Sequence, residues 1–128
     1  MPANIVLLVA RILLAIIFIM SGFGKLTDIA GTASYFTGYG LPMPTATAVI
    51  VGLIELLGGL AVLVGFQTRI AAWVLAIFAV ASALVAHTDF ADQMQMINFM
   101  KNLAIAGGFL ALAVEGAGSI SLDGRRAA

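Results

Sequence analysis

One stretch, Ala46–Gly65 with the sequence ATAVIVGLIELLGGLAVLVG, constrains this chain more than any other. At about 1.5 Å per residue, a helix of this length crosses a bilayer. A single ionisable residue, Glu55, lies near its centre. A carboxylate at that depth costs about 2.5 kcal/mol or more unless a partner satisfies it, so Glu55 is a candidate functional residue. Gly52, Glu55 and Gly59 share one helical face, and the two glycines there let a neighbouring helix approach and bring that partner.

The composition extends the membrane interpretation to the whole chain. Of its 128 residues, 62% are hydrophobic and 9% are charged, and the mean hydropathy is +1.14. A soluble domain is about half apolar and about a quarter charged. The chain has six basic and six acidic residues, so its formal net charge is zero. Its basic residues form no patch that would indicate nucleic-acid binding. The chain has no cysteine, which excludes disulfides, thiol chemistry and cysteine-ligated zinc or iron–sulfur sites within it.

Four hydrophobic segments predict an all-α bundle of four transmembrane helices, formed by one domain that covers residues 1–128. The predicted spans are about Ile5–Phe23, Ala46–Val64, Ile70–Ala86 and Asn98–Val114. The first run is long for a signal peptide, so we expect it to remain as a span. The tyrosine-bearing connection Gly24–Thr45 predicts a short interfacial helix or re-entrant piece. The Gly- and Ser-rich tail at 115–128 is expected to be partly disordered.

The basic residues predict how the four helices are oriented. Four spans put both termini on one side, together with four arginines: Arg11, Arg69, Arg125 and Arg126. The opposite side holds Lys25 and Lys101. Because basic residues concentrate on the cytoplasmic side, both termini are expected in the cytoplasm.

Arg11 is the partner that the sequence suggests for Glu55. It lies early in the first helix, and an antiparallel second helix brings the two depths within reach of an arginine side chain. We therefore predict an Arg11–Glu55 ion pair. The pair has two interpretations, a structural clasp between the helices or a proton or ligand site.

A second polar cluster lies where the first and third helices end and the fourth begins. It consists of Lys25, His87, Asn98, Lys101 and Asn102. Polar residues in membrane helices point into the bundle, so we expect a cavity lined by Arg11, Lys25, Glu55, His87, Lys101 and Asn102 that suits an anion or a quinone carbonyl. The alternative is that the lysines snorkel to the interface and the lone histidine is structural.

Two further sets of residues are interpreted as structural. Arg69, at the start of the third span, and Glu115, at the end of the fourth, lie at similar depth. They are predicted to form a salt bridge at the edge of the bundle. The six methionines are assigned to packing, and with one histidine in the chain no metal or haem site is expected. Small residues crowd the third span and make a homo-oligomer plausible: Ala71, Ala72, Ala76, Ala79 and Ala83.

Several of these motifs, taken together and in order, resemble the DoxX family of small bacterial membrane proteins. They are Arg11, then SGFGKL with Lys25, ELLGGLAVLVGFQTR from Glu55 to Arg69, His87, the Asn-rich start of the fourth span, and Gly116–Asp123. The resemblance covers nearly the whole chain and implies a four-helix protein of the bacterial inner membrane. It also implies a role beside a quinone-linked oxidoreductase or an oxidative-stress system.

Three functions remain open from the sequence. The first is an accessory subunit of a membrane redox system that binds a small lipophilic molecule or quinone and works beside a redox partner subunit. With no redox cofactor of its own expected, electrons would pass through that partner or through a bound quinone. The second is a small homo-oligomeric transporter that uses Glu55, and the third is a purely structural membrane partner.

Overall fold

A computed structural model describes residues 2–127 of the chain, and the described part is all-helical. The six helices are α1 (Ala3–Thr27), α2 (Ile29–Gly38), α3 (Pro44–Val64), α4 (Thr68–Ala86), α5 (Gln93–Glu115) and α6 (Leu122–Ala127). Four of them, α1, α3, α4 and α5, are long and apolar enough to cross a membrane. The predicted architecture of an all-α bundle with four spanning helices is therefore confirmed.

The spanning helices extend beyond the predicted hydrophobic segments. α1 begins before Ile5 and continues past Lys25, and α5 begins at Gln93, ahead of the predicted start at Asn98. Hydropathy marks only the apolar centre of a spanning helix, whereas the hydrogen-bonded backbone continues into the polar interface. Asn98 thus lies inside α5, whereas Lys25 lies in the last turn of α1, as expected.

The connection between α1 and α3 contains the short helix α2, one of the two forms expected for it. The Asp28 carboxylate caps its first turn by accepting a hydrogen bond from the Gly31 amide at 3.1 Å. The helix ends at Gly38, and Gly40 then takes a positive φ of 71°. Phe36 is buried, which fixes α2 against the bundle.

α1 and α3 form an antiparallel pair whose backbones approach closely at glycines. A Cβ added at Gly22 would lie 2.5 Å from the Leu56 amide nitrogen. One added at Gly59 would lie 2.9 Å from Cγ1 of Ile19. This seam sets the register of the two helices, with Gly22 level with the middle of α3.

α4 and α5 form the second pair, and small residues on α4 make it close. Ala72 and Ala83 are fully buried, and Leu75 and Phe109 fill the space between the four helices. The five α4 alanines that suggested a dimer face all lie in this core, at 0–9% exposure. That basis for a homo-oligomer is wrong, because the alanines serve packing within one chain.

The segment after α5 is ordered over its described residues. It folds back so that the Asp123 carboxylate accepts hydrogen bonds from the amides of Gln67 and Thr68, both at 2.8 Å. The Asp123 amide donates to the Gly65 carbonyl, also at 2.8 Å. The expectation of a partly disordered tail is wrong for 116–126, since Asp123 caps the first turn of α4.

Candidate functional site

A cavity of about 380 Å³ lies at the end of the bundle where α1 finishes. Residues from all of the first five helices form its walls. They include Phe18, Ser21, Lys25, Tyr35, Phe36, Tyr39, Val51, Glu55, Phe78, Val85, His87 and Asn102. Most of this surface is apolar or aromatic, with a few polar groups converging, as in sites that bind small molecules.

An ion pair between Lys25 of α1 and Glu55 of α3 is the polar centre of the cavity. Lys25 Nζ lies 2.8 Å from Glu55 Oε1 and donates a hydrogen bond to Ser21 Oγ at 2.7 Å. Glu55 is 5% exposed, so its carboxylate is nearly removed from solvent. Gly52, one turn before Glu55 on α3, leaves room for the side chain of Leu26, whose Cδ2 would be 2.9 Å from an added Cβ, and lets Lys25 lie close by, with its Cβ 3.4 Å away.

This pair corrects the sequence-based pairing of Glu55 with Arg11. The seam between α1 and α3 places Gly22, not Arg11, level with Glu55, and Lys25 follows one turn later on the same face of α1. Arg11 lies eleven residues before Gly22, about 16 Å away along the helix. The expectation that the glycine face of α3 brings a partner to Glu55 is correct, but the partner is Lys25.

α2 supplies an aromatic wall that the sequence analysis had treated only as an interfacial anchor. The hydroxyl oxygens of Tyr35 and Tyr39 lie 3.1 Å apart, and the two rings meet edge to face with centroids 5.0 Å apart. The hydrogen bond to Tyr39, together with burial, raises the pKa of Tyr35 to about 12. The i, i+4 spacing of the tyrosines within AGTASYFTGYG was the available signal that both lie on one face.

Only part of the second polar cluster that the sequence predicts lies at the cavity. His87 and Asn102 line it with Lys25, and His87 Nδ1 is buried with no hydrogen-bond partner within the described residues. Asn98 and Lys101 are not among the lining residues, and Lys101 is exposed. Asn98 lies one turn before Asn102 on the same face of α5 but outside the cavity. Because Lys101 is exposed and does not line the cavity, its predicted place there is wrong.

Arg11 belongs to a separate site at the opposite end of the bundle. Its guanidinium donates to four backbone carbonyls at 2.8–3.0 Å, those of Val62, Leu63, Ala117 and Ile120. The first two belong to the last turn of α3, whose carbonyls lack partners within the helix. Arg11 is therefore a structural clasp, but one made to the backbone and not to a carboxylate, and it does not line the cavity.

Arg69 makes the same kind of contact at the end of α5. Its guanidinium donates to the carbonyls of Ala113, Val114 and Glu115, at 3.2 Å to Ala113 and 3.3 Å to Glu115. The predicted salt bridge to the Glu115 carboxylate is thus replaced by contacts to the backbone. A cation here also interacts favourably with the helix C-terminus.

The fold and cavity define a class of protein, a polytopic membrane protein whose four-helix bundle encloses a small-molecule-sized cavity around a lysine–glutamate pair. The family model for DoxX matches residues 6–88, which include most of α1 and all of α2, α3 and α4. The chain belongs to the DoxX family, as its motifs had indicated.

Relatives in Escherichia coli strain K12 cover almost the whole chain. The inner membrane protein YqjF is 47% identical over 116 residues, which are 91% of this chain and 88% of the relative. The inner membrane protein YphA is 40% identical over 126 residues, 94% of this chain and 90% of the relative. A Bacillus subtilis strain 168 protein named "Putative oxidoreductase CatD" is 38% identical over 63 residues, 49% of this chain and 46% of that protein. No solved structure matches the chain.

Proposed function

We propose that this DoxX protein binds a small lipophilic molecule of the bacterial inner membrane, best represented by a quinone headgroup, and that it acts as an accessory subunit of a membrane redox system. The observation that carries the proposal is the cavity of about 380 Å³ with Lys25 and Glu55 at its centre. Its volume lies in the range of known small-molecule sites, about 300–1,000 Å³. A ring compound with a carbonyl would find a donor at Lys25 and apolar walls elsewhere.

The position of the cavity supports entry from the bilayer. Ile17, Ala81 and Val85 line it and are exposed on the surface of the protein. All three lie within helices that are long and apolar enough to span the membrane. A lipophilic ligand would therefore reach the cavity without crossing water, and an isoprenoid chain would leave along the same route.

The other candidate functions fit the geometry less well. Transport that uses Glu55 predicts a solvated carboxylate, whereas Glu55 is almost completely buried and paired with Lys25. A purely structural role predicts a filled interior with every polar group paired, whereas this interior contains a cavity. The name of the partial relative CatD is consistent with a redox association.

Native mass spectrometry of protein extracted gently from its own membrane tests the proposal. We expect the wild type to retain a small molecule and to bind added ubiquinone-1 saturably. Val51→Phe places a ring inside the cavity and should abolish both, whereas Ile50→Phe, at the neighbouring exposed position, should leave them unchanged. Absence of a retained mass together with absence of saturable ubiquinone-1 binding would overturn the proposal.

A further inference from the structure

The charges that face the cavity cancel. Lys25 on α1 and Glu55 on α3 are 2.8 Å apart. Besides His87, the residue that follows α4, they are the only acidic or basic side chains among the described residues that line the cavity. α2 contributes Tyr35, whose pKa is raised from its ordinary value of about 10 to about 12, so that phenol carries no charge at neutral pH. α5 contributes Asn102 and Ile105, which carry no charge. The lysine–glutamate pair therefore leaves the centre of the cavity without a net charge.

A charged ligand would have to break this pair. An anion that binds Lys25 competes with Glu55, and the displaced carboxylate would then remain nearly buried without a counter-charge. A cation that binds Glu55 would strand Lys25 in the same way. Leaving a buried charge unpaired is strongly unfavourable, whereas a neutral molecule leaves the pair intact.

The hydrogen-bonding groups around the pair offer both a donor and acceptors to such a molecule. A lysine ammonium has three donors. The Ser21 hydroxyl accepts a hydrogen bond from Lys25, and the ammonium forms an ion pair with Glu55 Oε1 at 2.8 Å. A further donor of the ammonium suits a ligand carbonyl. The second carboxylate oxygen of Glu55 can accept a hydrogen bond from the ligand. His87 Nδ1, which is buried without a partner within the described residues, can accept or donate one.

Aromatic side chains complete the specificity. The Phe18 ring lies edge to face with Phe78, with centroids 6.3 Å apart, and both line the cavity together with Phe36. Aromatic walls of this kind favour a flat ring placed in offset or edge-to-face contact.

We infer that the cavity selects an electrically neutral ring compound that carries a carbonyl or hydroxyl group and rejects anionic analogues of the same ring. The reason is that Lys25 already forms an ion pair with Glu55. The inference rests on the proposed function and narrows its ligand from any small lipophilic molecule to an electrically neutral one. Glu55 is then a specificity-determining residue as well as the partner of Lys25.

Two naphthoquinones with the same ring system test this inference on the full chain. Menadione is neutral, whereas 2-hydroxy-1,4-naphthoquinone carries an acidic hydroxyl that is ionised at neutral pH. Binding is measured by equilibrium dialysis against protein in phosphatidylcholine nanodiscs, and empty nanodiscs correct for partitioning into lipid. Because the chain contains no cysteine, menadione cannot add to a protein thiol and imitate binding.

For the wild type we expect menadione to bind at least about tenfold more tightly than the anion. Glu55→Gln removes the competitor for Lys25, so the anion should gain roughly tenfold in affinity while menadione changes little. Val51→Phe should remove specific binding of both compounds. The comparison in the wild type stands on its own if Glu55→Gln does not fold.

Each remaining outcome contradicts a different statement. If the wild type binds the anion as tightly as menadione, or more tightly, the cavity is a ligand site but the selection for neutral molecules is wrong. If Glu55→Gln folds and shows no gain for the anion, Glu55 does not determine the specificity. If the wild type binds neither compound above the Val51→Phe background, the proposed function itself fails.

Discussion

Arg11 shows how a charged side chain can be satisfied inside a membrane bundle without an opposite charge. Arginine has five donors in a planar fork, and four backbone carbonyls accept from it here. Two of those carbonyls end α3 and two belong to the segment after α5, so one side chain ties three parts of the fold together. Its role is to stabilise the helix ends.

Replacing Arg11 should therefore destabilise the protein severely. Arg11→Met leaves buried carbonyls without donors, and we expect a loss of about 3 kcal/mol or more in the free energy of unfolding. Arg11→Lys keeps the charge but not the fork, so it should still lose about 1–2 kcal/mol. Unfolding by a graded detergent series measures both, with the exposed Arg125→Met as the control, expected within about 0.5 kcal/mol of wild type. Full stability of Arg11→Lys would show that charge alone suffices.

Asp123 gives the tail a defined pH dependence. Burial acts to raise the pKa of its carboxyl, but hydrogen bonds from the Thr68 and Gln67 amides and the nearby charge of Arg126 outweigh it, and the pKa lies below 3.8. A depressed folded pKa means that the stabilisation is complete above the unfolded value and is lost as the pH falls through the folded one.

The melting temperature of the wild type should accordingly exceed that of Asp123→Asn at pH 7. The difference should shrink once the pH drops below the ordinary carboxyl value of 3.8. Melting curves for both proteins across an acidic pH series provide the measurement. A difference that stays constant into strong acid would mean that the carboxylate charge contributes nothing to this contact.

Among the helices, the seam between α1 and α3 carries most of the positioning of the site. Gly22 lets the α1 backbone lie against α3, and that approach places Lys25 over Gly52 and within reach of Glu55. The ion pair in the cavity thus depends on a glycine that makes no polar contact with it.

Two glycines of α1 offer a matched test of this seam. In Gly22→Ala, the new methyl would lie 2.5 Å from the Leu56 amide nitrogen, so the helices must separate. We expect a loss of about 1–3 kcal/mol and weaker quinone binding through displacement of Lys25. Gly24→Ala meets nothing within 4 Å and should gain up to about 1 kcal/mol from its higher helix propensity. Detergent unfolding and ubiquinone-1 dialysis report the two effects, and equal behaviour of the variants would rule out the seam as the determinant.

Over the whole molecule, hydropathy and spacing predicted the four spans, α2 and the buried face of Gly52, Glu55 and Gly59. Those features depend on local periodicity. The partners of Glu55 and Arg11 depend instead on the register of α1 relative to α3. The close approach of Gly22 to Leu56 sets this register, and no local sequence pattern reveals it. The assumption that Glu55 needed the nearest deep arginine also overlooked backbone carbonyls as partners for Arg11.

The two ends of the bundle differ in their basic residues, and this difference predicts which end faces the cytoplasm. At one end of the bundle, Arg11 and Arg69 donate hydrogen bonds to backbone carbonyls near the C-termini of helices. The exposed residues Arg125 and Arg126 lie at the same end. Basic residues favour the cytoplasmic side, so the cavity with Lys25 should lie in the periplasmic half of the membrane.

Reporter fusions decide this orientation. Arg125 and Arg126 of α6 are exposed, so a reporter can be fused after Ala128, and the exposed turn at Asp89 lies at the opposite end of the bundle. Green fluorescent protein at the C-terminus should fluoresce, and alkaline phosphatase there should be inactive, because the phosphatase needs the oxidising periplasm to form its disulfides. A phosphatase inserted at Asp89 should be active. The reverse pattern would place the cavity in the cytoplasmic half, and any partner that exchanges electrons with its ligand would then have to approach from the cytoplasm.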